Sequence, residues 1–170
     1  MKIYTIGHST KTFNQFVDIL IKNKIKCLVD VRSYPGSKMV PQFNKKTLDH
    51  KLEKYGIKYY HIPELGGRRR ISNLHHPSIK SESFSSYAEY MMTDDFKYGL
   101  SLLKKIARKC TTAFMCAEVL WWQCHRRMIS DRLAYDGWQV YHLGIGKEKT
   151  RHDIWDIARL NSKNQIIYDQ

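Results

Sequence analysis

The sequence predicts a single α/β domain over residues 1–170, with a mostly parallel open sheet of about five strands and helices on both faces. Three observations predict it. Short apolar runs alternate with segments whose apolar residues recur at helical spacing. The run Cys27-Leu-Val-Asp30-Val-Arg32 is apolar without interruption up to Asp30, as a strand covered on both faces of a parallel sheet must be. A chain of 170 residues, 42% of them hydrophobic, is long enough to bury one core without covalent staples.

Each element has its own signal. Lys2-Ile-Tyr-Thr-Ile-Gly7 reads as the first strand. Thr12-x-x-Gln15 has the form of a capping box, and Phe13, Phe16, Val17 and Leu20 then follow a helical period. The second strand, 27–32, runs into a Pro35-Gly36 loop. Leu48, Leu52 and Tyr55 mark a helix that Gly56 stops, and a third strand over 58–62 ends at Pro63. Residues 66–82 form a long basic loop with Gly66-Gly67, Arg68-Arg69-Arg70 and His75-His76-Pro77, and a polar excursion of that length is functional or disordered. Helical patterns resume over 85–92 and again from Asp94, where Phe96, Leu100, Leu103 and Ala107 make an apolar stripe. A strand over 112–116, a helix through Met128, Ile129 and Leu133 to Gly137, and a strand over 138–143 complete the alternation. Residues 151–161 suggest a short helix, and 162–170 a frayed tail.

Lysine and arginine number 29 against 16 acidic residues, a net charge of +13. Such a balance attracts polyanions, so nucleic acid or a phosphorylated small molecule is the expected partner, with plain solubility as the plainer reading. No apolar run approaches the length of a membrane span and no leader pattern opens the chain, so a cytoplasmic protein without a membrane partner is expected. Nothing in the sequence sets an oligomeric state.

Candidate chemistry collects where strands end. His8 follows the first strand, Asp30 and Arg32 close the second, and His61 and Glu64 follow the third. Cys116 and Glu118 close the fourth, and His142 the fifth. In a parallel sheet these positions share one edge, where open α/β folds bind their ligands. The densest stretch is Phe114-Met-Cys116-Ala-Glu118-Val-Leu-Trp-Trp-Gln-Cys124-His125-Arg126-Arg127, at the joint between a strand and a helix. Cys27, in a strand, and Cys110, at a helix end, read as structural thiols. A Cys116–Cys124 disulfide is within geometric reach but would be reduced in the cytosol.

These residues carry a family resemblance. Ile6-Gly-His-Ser9, Leu28-Val-Asp-Val-Arg-Ser-Tyr-Pro35, Pro41-x-Phe43, Pro63-Glu-Leu-Gly-Gly-Arg68, Tyr87-Ala-x-Tyr-Met91, and Met115-Cys-Ala-Glu118 through Cys124-His-Arg-Arg127 resemble the family catalogued as domain of unknown function 488, over roughly residues 3–144. The resemblance implies an α/β fold and this set of motif residues, and brings no established reaction. Trp121-Trp122 stands where the family usually has a proline shortly before its second cysteine, and His152 matches a later family histidine. A looser similarity is to rhodanese and cysteine-phosphatase domains, in which Asp-x-Arg ends an early strand and a cysteine precedes an arginine-bearing helix. There the arginine follows the cysteine by about five or six residues, whereas Arg126 is ten residues after Cys116.

Three readings follow. In the first, the chain is an enzyme acting on a nucleic acid or phosphorylated substrate. Cys116 is its leading nucleophile and Cys124 assists, while Glu118, His8, His125, Asp30 or His61 move protons. Arg32, Arg68, Arg126 and Arg127 clamp the anion, a rhodanese-like sulfur or phosphoryl transfer being one form of this. In the second, it is a non-catalytic nucleic-acid-binding module, with Arg68–Arg70 on phosphates and Trp121 and Trp122 stacking on bases. In the third, Cys116, Cys124 and histidine hold zinc; otherwise no cofactor is expected.

Overall fold

The computed structural model describes residues 1–170. Five strands run parallel: β1 (Lys2–Gly7), β2 (Cys27–Asp30), β3 (Lys58–His61), β4 (Thr112–Cys116) and β5 (Gln139–Leu143). Their spatial order is β3-β2-β4-β1-β5, and a short β6 (Thr150–Arg151) adds an antiparallel edge to β5. The helices are α1 (Phe13–Lys22), α2 (Lys45–Glu53), α3 (Glu82–Tyr90), α4 (Asp94–Lys109) and α5 (Arg126–Tyr135). The fold class is as the sequence predicts.

The alternating side chains of β4 show how the two layers form. Ala113 and Met115 pack with Phe16 of α1 and Leu48 of α2, while Phe114 and Cys116 pack with Tyr87 of α3, Leu103 of α4 and Ile129 of α5. The capping box of α1 closes as expected. Thr12 Oγ1 accepts from Gln15 N at 3.1 Å and Gln15 Oε1 from Thr12 N at 2.9 Å, satisfying two backbone donors at the helix start. On α4, Asp94 and Asp95 lie in the first turn and Arg108 and Lys109 in the last, which suits the helix dipole.

The connection leaving β1 crosses toward β2, and the one leaving β4 crosses toward β5. The connections therefore leave these neighbouring strands in opposite directions at their carboxyl ends, where Gly7 pairs with Cys116. That topological switch point is the crevice such a sheet offers a ligand.

Three expectations are corrected. Residues 151–161 form no helix; they hold the end of β6, an irregular turn and β7 (Ala158–Leu160). Residues 162–170 are not a frayed tail. β8 (Ile166–Tyr168) pairs antiparallel with β7, and Ile166, Ile167 and Tyr168 are buried. Asn161 makes the turn between them, its Oδ1 accepting from Lys163 N and Gln165 N at 2.9 Å each, and the β-branched and aromatic residues that follow favour a strand. Third, Cys27 and Cys110 are joined as a disulfide rather than standing as separate thiols. Cys27 opens β2, which pairs with β4 in the register Cys27 to Thr112, so Cys110 arrives beside it. That neighbourhood depends on strand order, which local sequence does not carry.

The basic loop at 66–81 contains no helix or strand, yet α3 holds it. Arg69 stacks 3.8 Å from the centre of the Tyr90 ring, and the Glu89 carboxylate accepts from Leu74 N and His75 N. No helix of the chain is long and apolar enough to cross a membrane.

Candidate active site at the thiol pair

β1 and β4 continue to pair past their formal ends, with His8 N donating to Cys116 O at 3.0 Å and Ser9 N to Ala117 O at 2.8 Å. The chain after β4 then folds back through a 3-10 turn at Trp121–Gln123 and delivers Cys124 to the start of α5. A glycine permits this path. A Cβ on Gly7 would sit 1.7 Å from the Glu118 carbonyl oxygen, where no side chain fits.

The two sulfurs of Cys116 and Cys124 lie 3.2 Å apart, 2% and 4% exposed. Cys124 Sγ accepts from the Arg126 backbone N–H at 3.2 Å and from Arg126 Nε at 3.4 Å. Arg126 itself is 1% exposed. Its other donors reach Thr5 Oγ1 at 2.8 Å, Glu118 O at 2.5 Å and Val119 O at 3.1 Å, all neutral oxygens. It joins no carboxylate in an ion pair. A buried guanidinium without a counter-ion is strongly destabilising, and the nearest group able to supply the negative charge is the Cys124 sulfur.

The two thiols therefore titrate apart. Burial pushes the Cys124 thiol up. Hydrogen bonds from Cys116 and His125, with the charges of His125 and Arg126, outweigh that and hold it well below the usual thiol range. Burial and the bond given to Cys124 drive Cys116 the other way. These donors favour negative charge on Cys124, with Cys116 placed as the thiol that donates to it. The sequence reading places Cys116 first as nucleophile and Cys124 as its assistant; the geometry around the pair favours the reverse order. The deciding donors, a helix-start N–H and a buried guanidinium, point at Cys124.

A cleft of about 480 Å³ opens over the pair. Besides both cysteines it is lined by His8, Arg32, Ser33, Tyr34, Arg68, Tyr87, Glu118 and His125. The exposed side chain of Glu118 reaches it from the loop after β4, and Arg68 reaches its rim, 5.8 Å from the Tyr34 ring. His125 Nε2 donates to Val31 O at 3.3 Å, fixing the ring beside Cys124. Gly67 makes room for it, since a Cβ there would come within 2.6 Å of His125 Nδ1.

Other predicted residues are spent on structure. Arg32 forms a two-pronged pair with the fully buried Asp30, Nε to Oδ1 at 2.9 Å and NH2 to Oδ2 at 2.7 Å, and also donates to Phe43 O. Asp30 further accepts from the Tyr59 hydroxyl at 2.6 Å, so it orients Arg32 and does not face the cleft. His8 Nδ1 donates to Ser9 O at 2.8 Å, which leaves Nε2 to accept from Arg32 NH1 at 3.1 Å. Both nitrogens are occupied, and burial, partly countered by the Ser9 carbonyl, lowers its pKa to about 4. His8 therefore has no free nitrogen for proton transfer.

Several residues lie away from the cleft. Arg126 is an internal partner of the Cys124 sulfur rather than an anion clamp, because each of its three side-chain nitrogens donates to an acceptor inside the protein. Arg127 stacks 3.6 Å from the Trp155 ring centre. His61 donates to Arg32 O at 2.8 Å. The Glu64 backbone carbonyl accepts from the Tyr90 hydroxyl. Trp122 is 38% exposed elsewhere, and Trp121 stacks on His142 at 4.0 Å instead of offering a face to a base. No group of three or more His, Cys, Asp or Glu side chains is arranged to hold a metal ion.

Ser33 and Tyr87 line the cleft and were not among the expected site residues. Tyr87 stands in one of the family-like blocks, which was the available signal. Thr5 carries no sequence signal of such a role, because a threonine inside a strand reads only as a β-former.

No curated protein and no solved structure matches the chain. A family model described as a domain of unknown function, DUF488, matches residues 12–133, which include α1 to α4, both cysteines of the pair and most of α5. The chain belongs to the DUF488 family.

Proposed function

We propose that the protein is a two-thiol enzyme in which Cys124 attacks a sulfur of an anionic substrate and Cys116 resolves the product. One observation carries this: a buried guanidinium, Arg126, whose nearest candidate counter-ion is the Cys124 sulfur, with a second thiol 3.2 Å from that sulfur. The Cys124 thiolate attacks one sulfur of a disulfide-type substrate, forming a mixed disulfide and expelling the other sulfur as a thiolate. Cys116 passes its proton to that thiolate and then attacks Cys124 Sγ, releasing the remaining thiolate and leaving a Cys116–Cys124 disulfide. The sulfurs must close by about 1 Å to reach the S–S bond length of about 2.05 Å.

The net charge of +13, with Arg68 and His125 at the cleft, favours a negatively charged substrate, phosphate-bearing molecules and nucleic acid included. The occupied donors of Arg32 and Arg126 weigh against a phosphoryl cradle, so sulfur exchange is the better-supported form of the rhodanese-like reading.

The test uses 5,5′-dithiobis(2-nitrobenzoate), an anionic disulfide, and the full chain. Wild type should release both halves of the reagent as thiol and end with a Cys116–Cys124 disulfide on peptide mapping. Cys116→Ser should stop at a mixed disulfide on Cys124, and Cys124→Ser should not react in the cleft. Labelling of Cys124 only after unfolding would sink the proposal. Added salt should slow the anionic reagent more than a neutral disulfide.

A further inference from the structure

Arg126 is one end of a longer buried path. Thr5 Oγ1, which accepts from it, lies 3.3 Å from His142 Nδ1. His142 Nε2 lies 3.0 Å from His152 Nδ1, and His152 Nε2 lies 2.8 Å from Asp131 Oδ1. Asp131 also accepts from the Trp155 N–H and the Tyr168 hydroxyl, each at 3.0 Å. Every side chain from Thr5 to Tyr168 along this path is buried.

The bonds run in one direction. A carboxylate can only accept, so His152 donates through Nε2. With each imidazole carrying one hydrogen, His142 then donates to His152, Thr5 to His142, and Arg126 to Thr5. Burial, reinforced by His152 and Arg126, pulls the His142 pKa down to about 2, which agrees with a neutral ring there. The path thus links the buried Arg126 to the buried Asp131.

Its placement argues for more than packing. Thr5 and His142 alternate along their strands with residues of the opposite layer and lie on the face of Ile3 and Val140, which is mostly apolar. Apolar side chains there would hold the sheet at least as well. What they could not do is accept from Arg126. A second contact ties the path to the site: Trp121, on the loop that delivers Cys124, lies flat against His142 at 4.0 Å.

We propose that Thr5, His142, His152, Asp131 and Tyr168 are positioning residues that hold Arg126 against the Cys124 sulfur, so that segments beyond the family-matched region complete the active site. This rests on the reading of Cys124 as the nucleophile. The other titratable or charged groups around Cys124 are Cys116 from β4, His125 just before α5, Tyr87 from α3, Glu118 from the loop after β4, His8 after β1, and Arg32 and Arg68 at the cleft. None of them is altered in the variants below.

The experiment is the rate of Cys124 carbamidomethylation against pH in full-length Thr5→Val and Tyr168→Phe proteins, read by mass spectrometry beside their thermal unfolding. Thr5→Val should react about tenfold more slowly at pH 6, with its midpoint moved up, and Tyr168→Phe about threefold more slowly, the hydrogen bonds to charged groups being the strong ones. A merely structural role would lower the unfolding temperature and leave the midpoint in place, and that result overturns the proposal. Tyr168→Phe keeps the ring and carries the test if Thr5→Val does not fold. A wild-type Cys124 that is unreactive below pH 8 would instead remove the nucleophile, and with it both proposals.

Discussion

Cys110 and Cys116 stand at opposite ends of β4, and each lies against a second cysteine. At the amino edge Cys110 is joined to Cys27, in a cleft edged by the exposed lysines Lys26, Lys58, Lys105 and Lys109. At the carboxyl edge Cys116 and Cys124 remain two thiols beside one buried arginine. Four solvated ammonium groups are screened and aimed at nothing in particular, whereas Arg126 directs a donor at one sulfur inside a dry layer. If Cys124 is the nucleophile proposed above, thiol chemistry here follows the direction and burial of a donor, not the number of nearby charges.

The largest effect that would test this contrast is Arg126→Met. Alkylation of Cys124 at pH 6 should fall by more than about tenfold as its pKa moves up toward the ordinary thiol range. A change under threefold would show that the arginine does not distinguish the two ends. Next, Cys110→Ser opens the other pair and should lower unfolding free energy by about 2–5 kcal/mol in urea titrations. The Cys124 pH profile should stay put; if it moves, the two edges are coupled and the contrast fails.

Acid should also weaken the carboxyl edge. His8 is held neutral, with its folded pKa near 4 against an unfolded value of about 6.5. Below 6.5 the unfolded chain binds the proton first, so stability is full above that pH and is lost as pH falls toward 4. The loss is about 3 kcal/mol from His8 alone, measurable as urea midpoints across that window. A flat profile between pH 6.5 and 4 would contradict the buried neutral ring. The smallest effect belongs to Cys116→Ala, which removes one donor from Cys124 and should slow its alkylation at pH 6 by about tenfold or less.

Most of the sheet was legible because each strand and helix has a local period, and α1 has its cap in four residues. The site was legible as a region for the same reason: strand ends are local features, and in a parallel sheet they share an edge. Roles inside it were not. Cys116 and Cys124 are indistinguishable as letters, and their ranking depends on where the Arg126 side chain turns, a packing outcome. The Cys27–Cys110 bond depends on β2 lying beside β4, and the His142–His152–Asp131 path on three segments meeting in space. The β7–β8 hairpin was missed because its strands are three residues each, too short to display a period.

The 3.2 Å gap between the two sulfurs has an electrochemical consequence. On the proposed reading, oxidising the pair consumes the Cys124 thiolate, and Arg126 is then left as a buried cation with no counter-ion. That penalty falls on the disulfide form alone and raises its reduction potential, since stabilising the dithiol makes its disulfide the stronger oxidant. Equilibrated with a glutathione buffer, the carboxyl-edge pair should sit reduced, and any disulfide formed there should pass its oxidising equivalents on.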